Sequence, residues 1–505
     1  MLKILIILVY VAVIVGLSIY ASRQTKTVDD FVLGNRSIGP WMSAFTYGAT
    51  YFSAVLIIGF AGKVGWGFGL SALLIAFGNA IIGTYMAWKV LGYRTREITS
   101  RLNVLTLPSF LEARFDSTRM KVFACLIIFI FFVPYSASVF MGLSYLFESI
   151  FNIPYMAALL FMTIVAALYL VLGGYRAISM IDFVQGLVML TGIILMVYFV
   201  VGHKVVDGFA NAYRSLMSIS PDYIYPGDWK AWIALTSVII LTSLGTWGLP
   251  QMVQKFYGIR STAVIHQATI VSTIFALVIT TGAYYVGSLS HLFFDELPKL
   301  NGQATPDLIM PNIISQTLPE LVAVLILVLV LSASMSTLSS LVLVSSSSVS
   351  IDLIKGALFP ELNPRVVIKI MRVLCVVFIG LSLWIAIKPP DVILTLMSLS
   401  WGTVAGAFLA PYIFGLFWPR TTRAGAWTGM ITGLIVSLGG YAVLIVKPAF
   451  ISQATMNLLS SWGTPFFGSL AMIIPLIVVP AVSLITKQYP ESHLRKIYAS
   501  GRQVN

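Results

Sequence analysis

The sequence predicts an all-α polytopic membrane protein, and three observations predict it. Of 505 residues, 58% are hydrophobic and only 10% charged, with a mean hydropathy of +0.94. Apolar stretches of about twenty residues recur along the whole chain, each able to cross roughly 30 Å of hydrocarbon as a helix. Lys and Arg gather in alternate connecting segments, as the positive-inside rule requires. A soluble protein of this length needs a far more charged surface.

Hydropathy places thirteen spans, at 3–22, 40–62, 68–92, 121–150, 154–172, 182–203, 231–252, 266–289, 320–350, 366–386, 392–416, 424–446 and 464–486. The first has no small-residue cleavage site after a short apolar core, so it reads as a retained helix rather than a signal peptide. The second reads SAFTYGATYFSAVLIIGFAG, with Gly48 in a small and polar patch. The loop that follows the third holds Arg94, Arg96, Arg101, Arg114, Arg119 and Lys121. Cys125 and Cys375 lie inside spans four and ten, with no CxxC or Cys/His cluster, so neither a disulfide framework nor a metal site is expected.

Span six opens on Asp182, in GGYRAISMIDFVQG. An ionisable residue at or within a span is a functional candidate, and an interfacial Asp paired with Arg176 is the alternative. Span seven reads VIILTSLGTWGLPQMVQ, where Gly245, Gly248 and Pro250 crowd together and weaken the helical ladder. Spans two and seven are five apart, so each opens a block of five, and an odd block length makes the two blocks enter the membrane from opposite sides. An inverted repeat whose first helices are both broken is a recurring transporter plan, with substrate and ion held at the breaks. Two kinked packing helices are the alternative.

Span nine contains LSASMSTLSSLVLVSSSSVS, in which eleven of twenty residues are Ser or Thr. At 100° per residue, Ser336 and Ser340 share a face with Ala333 between them, flanked by Thr337 and Ser339. Hydroxyls and freed carbonyls suit a hard monovalent cation. Helix packing explains any single serine equally well, and it is the account for Ser345 to Ser348.

With the N-terminus outside, inward segments hold 22 of the 31 Lys and Arg, outward segments eight, and Lys89 lies within a span. The net charge of +13 is therefore a topology signal, N-out and C-in, and no nucleic-acid partner is implied. The longest loops, 93–120, 204–230 and 290–319, are too short for an independent domain. Residues 1–505 read as a single transmembrane domain in the plasma (inner) membrane, with no required protein partner evident. His203, His266, His291 and His493 form no catalytic constellation, and neither HExxH nor GxSxG occurs, so the chain does not read as an enzyme.

Over about residues 30 to 430 the chain resembles the solute:sodium symporter family, and within it the sodium/proline symporter branch. The segments that carry the resemblance are GNRSIGPWMSAFTYGATYFSA, FVPYSASVFMGLSYLFES, LGGYRAISMIDFVQGLVM, GLPQMVQKF, ASMSTLSSLVLVSSS and SWGTVAGAFLAPYIFGLFWPRTTRAGA. The resemblance implies a LeuT-type five-plus-five inverted repeat, with repeat one over about 40–203, repeat two over about 231–416, and peripheral helices 3–22, 424–446 and 464–486. It implies a sodium site from the carbonyls of Ala49, Phe52 and Ala333 and the hydroxyls of Ser336 and Thr337. Members such as the sialic acid transporters add a second sodium, which here would use Asp182, Ser336, Ser339 and Ser340. Candidates for the solute pocket are Thr50, Tyr51, Ser53, Tyr135, Thr246, Trp247, Gln251 and Trp401. Tyr135 matches a substrate-contacting Tyr of the branch. Thr242 and Thr246 stand where the branch has Trp and Tyr, and Tyr51 stands in place of its Asp. The implied function is sodium-driven uptake of a small organic solute, proline or another amino acid first. A monocarboxylate, pantothenate, sialic acid or sugar is the alternative substrate, a membrane solute sensor of the same fold the non-transport alternative, and proton coupling the alternative to sodium.

Overall fold

The computed structural model describes residues 2–22, 27–172, 175–300 and 302–498, and most of them are helical. All thirteen predicted segments fall on helix. Ten described helices are long and apolar enough to cross a membrane, and Leu5–Leu17 and Tyr155–Ala167 are shorter apolar helices.

In chain order, α1 (Leu2–Ser22) is followed by α2 (Pro40–Tyr51), a π-helical turn (Val55–Phe60) and α3 (Ala61–Phe68). Next come α4 (Leu73–Ala80), running into a π-helical stretch (Ile81–Gly92), then α5 (Thr118–Phe151), α6 (Tyr155–Leu172) and α7 (Tyr175–Val201). The second half has α8 (Trp229–Leu244), α9 (Pro250–Tyr257), α10 (Val264–Ser288), α11 (Glu320–Ser347), α12 (Pro364–Ile387) and α13 (Ile393–Phe417). It ends with α14 (Arg423–Val446), α15 (Gln453–Ile485) and a short α16 (Glu491–Tyr498). The loop before α11 carries a two-stranded hairpin, β1 (Lys299–Leu300) against β2 (Gln303–Ala304).

Capping explains several of the starts. Ser117, Asp228, Thr422 and Ser452 each accept an N–H from the first turn of the helix they precede, satisfying donors that have no partner within it. Burial then ranks the helices. In its most apolar stretch α13 is 94% buried and the α11 helix 83%, against 28% for α14. The hydroxyl-rich α11 and the Gly-rich α13 are thus the centre of the molecule, and hydroxyls on α11 face protein rather than lipid.

The two expected interruptions are present, at positions shifted from the residues that suggested them. The first chain break is at Phe52 and Ser53, not at Gly48. Gly48 is helical, and a Cβ there would collide with the Phe275 ring, so its smallness serves packing against α10. The second break follows a 3₁₀ turn (Gly245–Trp247) and comes at Gly248 and Leu249, with Pro250 at the first position of α9. There Pro costs nothing, because its missing N–H would have had no partner. Gly248 lies against the backbone of Ala405 and Leu409, which leaves no room for a Cβ.

Two boundaries also move. The helix that carries Asp182 starts at Tyr175, so Asp182 sits two turns inside it and is fully buried rather than interfacial. The side chain of Arg176, its alternative partner, lies outside the described residues. The last long helix starts at Gln453, and a kink at Gly463 (φ 64°) separates its first turns from the predicted span. Of Ser345 to Ser348, Ser346 and Ser347 bond back to the Leu343 and Val344 carbonyls and Cys375 contacts Ser346, while the buried hydroxyls of Ser345 and Ser348 have no hydrogen-bond partner.

At the end where the basic loops gather, a short helix (Leu107–Phe115) buries Arg114 in a shell of oxygens. Its guanidinium donates to the carbonyls of Gly415, Trp418, Pro419 and Thr421 and to the Tyr498 hydroxyl. Tyr498 in turn donates to Gly415 O, and Arg101 donates to Ile497 O, so α16 is held across this surface.

Candidate functional site

The break after Tyr51 ends a helix in the protein interior, which frees the carbonyls of its last turn. The first of these, Gly48 O, still accepts from Phe52 N–H at 3.2 Å. Beyond it, Ala54 N–H turns aside to Ser334 Oγ on α11, at 3.3 Å. Thr337, one turn further along α11, donates its hydroxyl to Thr50 O at 3.0 Å. Thr50 then meets Ser340 through their hydroxyls, also at 3.0 Å. Three successive inward positions on α11 therefore clasp the broken segment. Ala49, Phe52, Ala333, Ser336 and Thr337 are all essentially inaccessible, and Ser336 Oγ has no hydrogen-bond partner. An unpartnered buried hydroxyl is costly unless a ligand or water uses it.

Asp182 faces the same region. Neither of its carboxylate oxygens has a hydrogen-bond partner. Lys255, in α9, is buried and donates to Ser340 Oγ at 2.8 Å. Ser339 is turned back, its hydroxyl donating to Ser336 O at 2.8 Å.

The other side of the break opens into a small cavity of about 20 Å³, room for about one water. Tyr51, Ser53, Tyr135 and Trp401, four of the sequence candidates, line it. Tyr51 stacks on Trp401 with ring centres 6.1 Å apart, and Tyr135 meets Trp401 edge-on at 5.8 Å. The remaining candidates lie outside the cavity wall. Thr50 serves Ser340 as above, and Gln251 is buried in the first turn of α9 without contributing to the cavity wall. Thr246 Oγ1 donates to Gly83 O and Trp247 Nε1 to Ile82 O, both in the π-helical stretch after α4. A π-helix shifts its ladder by one residue, and here carbonyls of that stretch accept side-chain donors.

Sequence reasoning missed Phe60, Asn79, Tyr284 and Met397 in the cavity wall. Asn79 had a signal, being the one side-chain amide in its predicted span, and it accepts from Ser243 Oγ at 3.0 Å. Lys255 was hidden because it falls just past the predicted end of span seven and reads as a loop charge.

A second cavity, about 450 Å³, opens at the end that carries Lys63, Asp391 and Lys447. Its wall descends through Val64 on α3, Val238 on α8 and Leu394 on α13. One turn deeper, Phe60 at the end of the π-helical turn before α3, Thr242 on α8 and Met397 on α13 line the small cavity. The two spaces are thus stacked along one path, with aromatic and aliphatic side chains between them. Beside this mouth Asp307, in the turn Pro306–Leu308, donates its own N–H to Thr305 Oγ1 at 3.3 Å, and its carboxylate accepts Ile393 N–H at 3.1 Å at the start of α13. Burial pushes its carboxyl up to about 6, against the opposing pull of the Ile393 N–H and of Lys63.

The model of the sodium:solute symporter family matches residues 31–433. The chain belongs to the sodium:solute symporter family. Relatives in it include the sodium/proline symporter 2 of Staphylococcus saprophyticus, 31% identical over 447 residues, covering 86% of this chain and 84% of the relative. The sodium/pantothenate symporter of Escherichia coli is 31% identical over 448 residues, covering 87% and 90%. Among solved structures, a sodium-coupled sialic acid symporter in a substrate-bound outward-open state matches with a TM-score of 0.78 at 18% identity, over 97% of this chain and 99% of that one. The fold is thus the LeuT type, and the symporter is a multi-pass integral membrane transporter that uses sodium and an organic solute, not an enzyme.

Proposed function

We propose that this symporter binds sodium between the break after Tyr51 and α11, and imports a compact organic solute, an amino acid first, through the cavity walled by Tyr51, Tyr135 and Trp401. The observation that carries this reading is the hydrogen bond from Thr337 to Thr50 O. It brings a hydroxyl of α11 to the freed carbonyls of the broken helix. Sodium would take the carbonyls of Ala49, Phe52 and Ala333 and the hydroxyls of Ser336 and Thr337, for which Ser336 Oγ has a lone pair to spare.

Coupling follows if the ion prefers one conformation. Its ligands come from two separate helices, so a bound ion holds them together and keeps the solute cavity formed. The stacked cavities give access from the Lys63 end, and the Arg114 cluster closes the opposite end. With thirteen crossings, N-out and C-in, and repeats over about 40–203 and 231–416, the Lys63 end is outside. Each sodium entering down a 100 mV potential supplies about 2.3 kcal/mol before any concentration gradient. The relatives named for proline, pantothenate and sialic acid set the panel of solutes. The small aromatic cavity, with Ser53, Asn79 and Thr242 beside three tyrosines, favours a compact one.

The test is uptake into proteoliposomes under an inward sodium gradient at constant pH. Labelled proline and other amino acids come first, then monocarboxylates, pantothenate, sialic acid and sugars. Accumulation that needs the sodium gradient is expected. Accumulation driven by a proton gradient alone would replace the ion, and no accumulation of any solute would favour a sensor.

A further inference from the structure

We infer that Arg36, Arg96 and Arg260 form a site for the phosphate of an anionic phospholipid headgroup, at the end of the molecule where the basic loops gather. The site is separate from those of the ion and the solute.

Three segments bring these residues together. Ile38, just before α2, bridges to Ile259, just after α9. Its N–H donates to Gly258 O at 3.3 Å, and Arg260 N–H donates to Ile38 O at 2.9 Å. The third segment is the short helix Tyr93–Arg101. From it Arg96 donates through Nε to Ile259 O at 2.6 Å and through Nη2 to Arg260 O at 3.4 Å. Arg36 reaches the far end of the same helix. It donates through Nη2 to Thr99 O at 3.3 Å and Val104 O at 2.9 Å, and through Nη1 to Ser100 Oγ at 3.3 Å.

Backbone carbonyls thus fix two guanidiniums that no carboxylate neutralises. Among the described residues, no acidic oxygen lies within 4.0 Å of Arg36, Arg96 or Arg260. Glu97, on the helix of Arg96, is taken by Arg94 at 3.1 Å and Arg101 at 3.0 Å. Burial and then the like charge of Arg36 lower the pKa of Arg96. Burial lowers that of Arg36 too, with Asp29 opposing from beyond 4.0 Å. Arg36 Nε, Arg96 Nη1 and the exposed Arg260 guanidinium make no hydrogen bond to a described residue. Planar forks held in place with N–H groups to spare suit the oxygens of a phosphate.

The backbone is strained to put Arg36 here. Gly34, Asn35 and Arg36 are three successive left-handed residues, at φ 58°, 54° and 52°. Two of them carry side chains, which disfavour that region, and such strain clusters where a ligand is clamped. Two exposed aromatic residues favour a lipid over a dissolved phosphate. Trp41 lies in the first turn of α2, and Tyr93 precedes Arg96 by about one turn of their helix. Trp and Tyr settle at the headgroup level of a bilayer, where basic side chains meet anionic lipid. A phosphate bound here ties the segment entering α2 to the segment leaving α9, and so joins the two interrupted helices from outside the bundle.

The test titrates the purified full-length chain, washed free of native lipid in detergent, and reads the thermal unfolding midpoint. Phosphatidylglycerol should raise the midpoint of wild type, while phosphatidylcholine and inorganic phosphate should not. At about fivefold per lost charge, Arg36→Gln/Arg96→Gln should need about 25-fold more phosphatidylglycerol for half the rise. Arg119→Gln/Lys487→Gln removes two exposed charges elsewhere at the same end and should need less than about twofold more. Arg260→Gln disturbs no side-chain hydrogen bond to a described residue and should need about fivefold more, so it decides if the double variant does not fold. No rise in wild type, equal losses in the cluster and control variants, or a wild-type response in Arg260→Gln would each overturn the inference. A rise with phosphatidylcholine as large as with phosphatidylglycerol would overturn the charge requirement, and an equal rise with inorganic phosphate would overturn the lipid.

Discussion

Thr337→Val removes one hydroxyl at nearly constant volume from the junction of α11 with the broken helix. The hydroxyl donates to Thr50 O at 3.0 Å, and both residues are buried. Losing it leaves a buried carbonyl without that donor, which costs about 1–3 kcal/mol, and removes one oxygen from a charged ligand, about 1.5–3 kcal/mol. The first cost falls on the ion-free form and the second on the ion-bound form. The sodium dependence reports the ligand loss, partly offset if the freed carbonyl turns to the ion. At roughly 1.4 kcal/mol per decade, the half-saturating sodium concentration should rise about 10-fold to 100-fold. Thr337→Ser keeps the oxygen and should stay within about threefold. The assay is sodium-activated uptake of whichever labelled solute the panel identifies, with binding of radiolabelled sodium as the solute-free check. A half-saturation in Thr337→Val equal to wild type would refute the placement of sodium at this junction.

The remaining predictions concern the ends and the packing. Burial raises Asp307 from its ordinary 3.8 to about 6, so its ionisation opposes folding, fully so above about pH 6 and not at all below 3.8. A shift of about two units corresponds to about 3 kcal/mol. Asp307→Asn keeps an acceptor for Ile393 N–H and should raise the unfolding temperature of the detergent-purified protein at pH 7.5, with the gain gone by pH 4. An equal gain at both pH values would refute the cause. In Gly65→Ala the new Cβ meets the Gly287 and Ser288 backbone, so α3 and α10 must separate. Overpacking of this kind costs about 1–3 kcal/mol or more, and the midpoint of thermal unfolding should fall, while Gly67→Ala, with nothing within 4 Å, should not change it. Tyr498→Phe removes the bonds to Gly415 O and from Arg114. Hydrogen exchange over 491–498 should accelerate while sodium binding stays unchanged.

How much of this could be read from the sequence depended on the range of the signal. Apolar length and Lys/Arg placement are local or summed quantities, and every predicted span is helical. Crowded Gly and Pro located both breaks to within a turn. They did not locate the first break itself, because Gly48 is a contact glycine for Phe275 and the chain unwinds at Phe52 and Ser53. Helical periodicity brought Ser336, Thr337 and Ser340 to one face, and that face does meet the broken helix. The solute cavity was less legible. Thr246 and Trp247 sit on a break, yet their donors go to carbonyls of a π-helical stretch that no residue pattern announces. Phe60, Tyr284 and Met397 look like ordinary span residues, and only the packing of three elements brings them together. Lys255 is the sharpest case, a loop charge by position and a buried partner of Ser340 in space.

The carbonyl of Gly83 has a mechanical consequence. It accepts from Tyr47 on α2 at 2.7 Å and from Thr246, in the turn between α8 and α9, at 3.0 Å. One oxygen is therefore a shared hinge pin for both interrupted helices. Either helix sliding alone must surrender its bond to that oxygen inside a dry interior, whereas the pair tilting together with the third span keeps both. Alternating access in this molecule should accordingly proceed as a rocking of that trio as one rigid unit, with α11 and its hydroxyl face as the stationary wall against which the ion is gripped and let go.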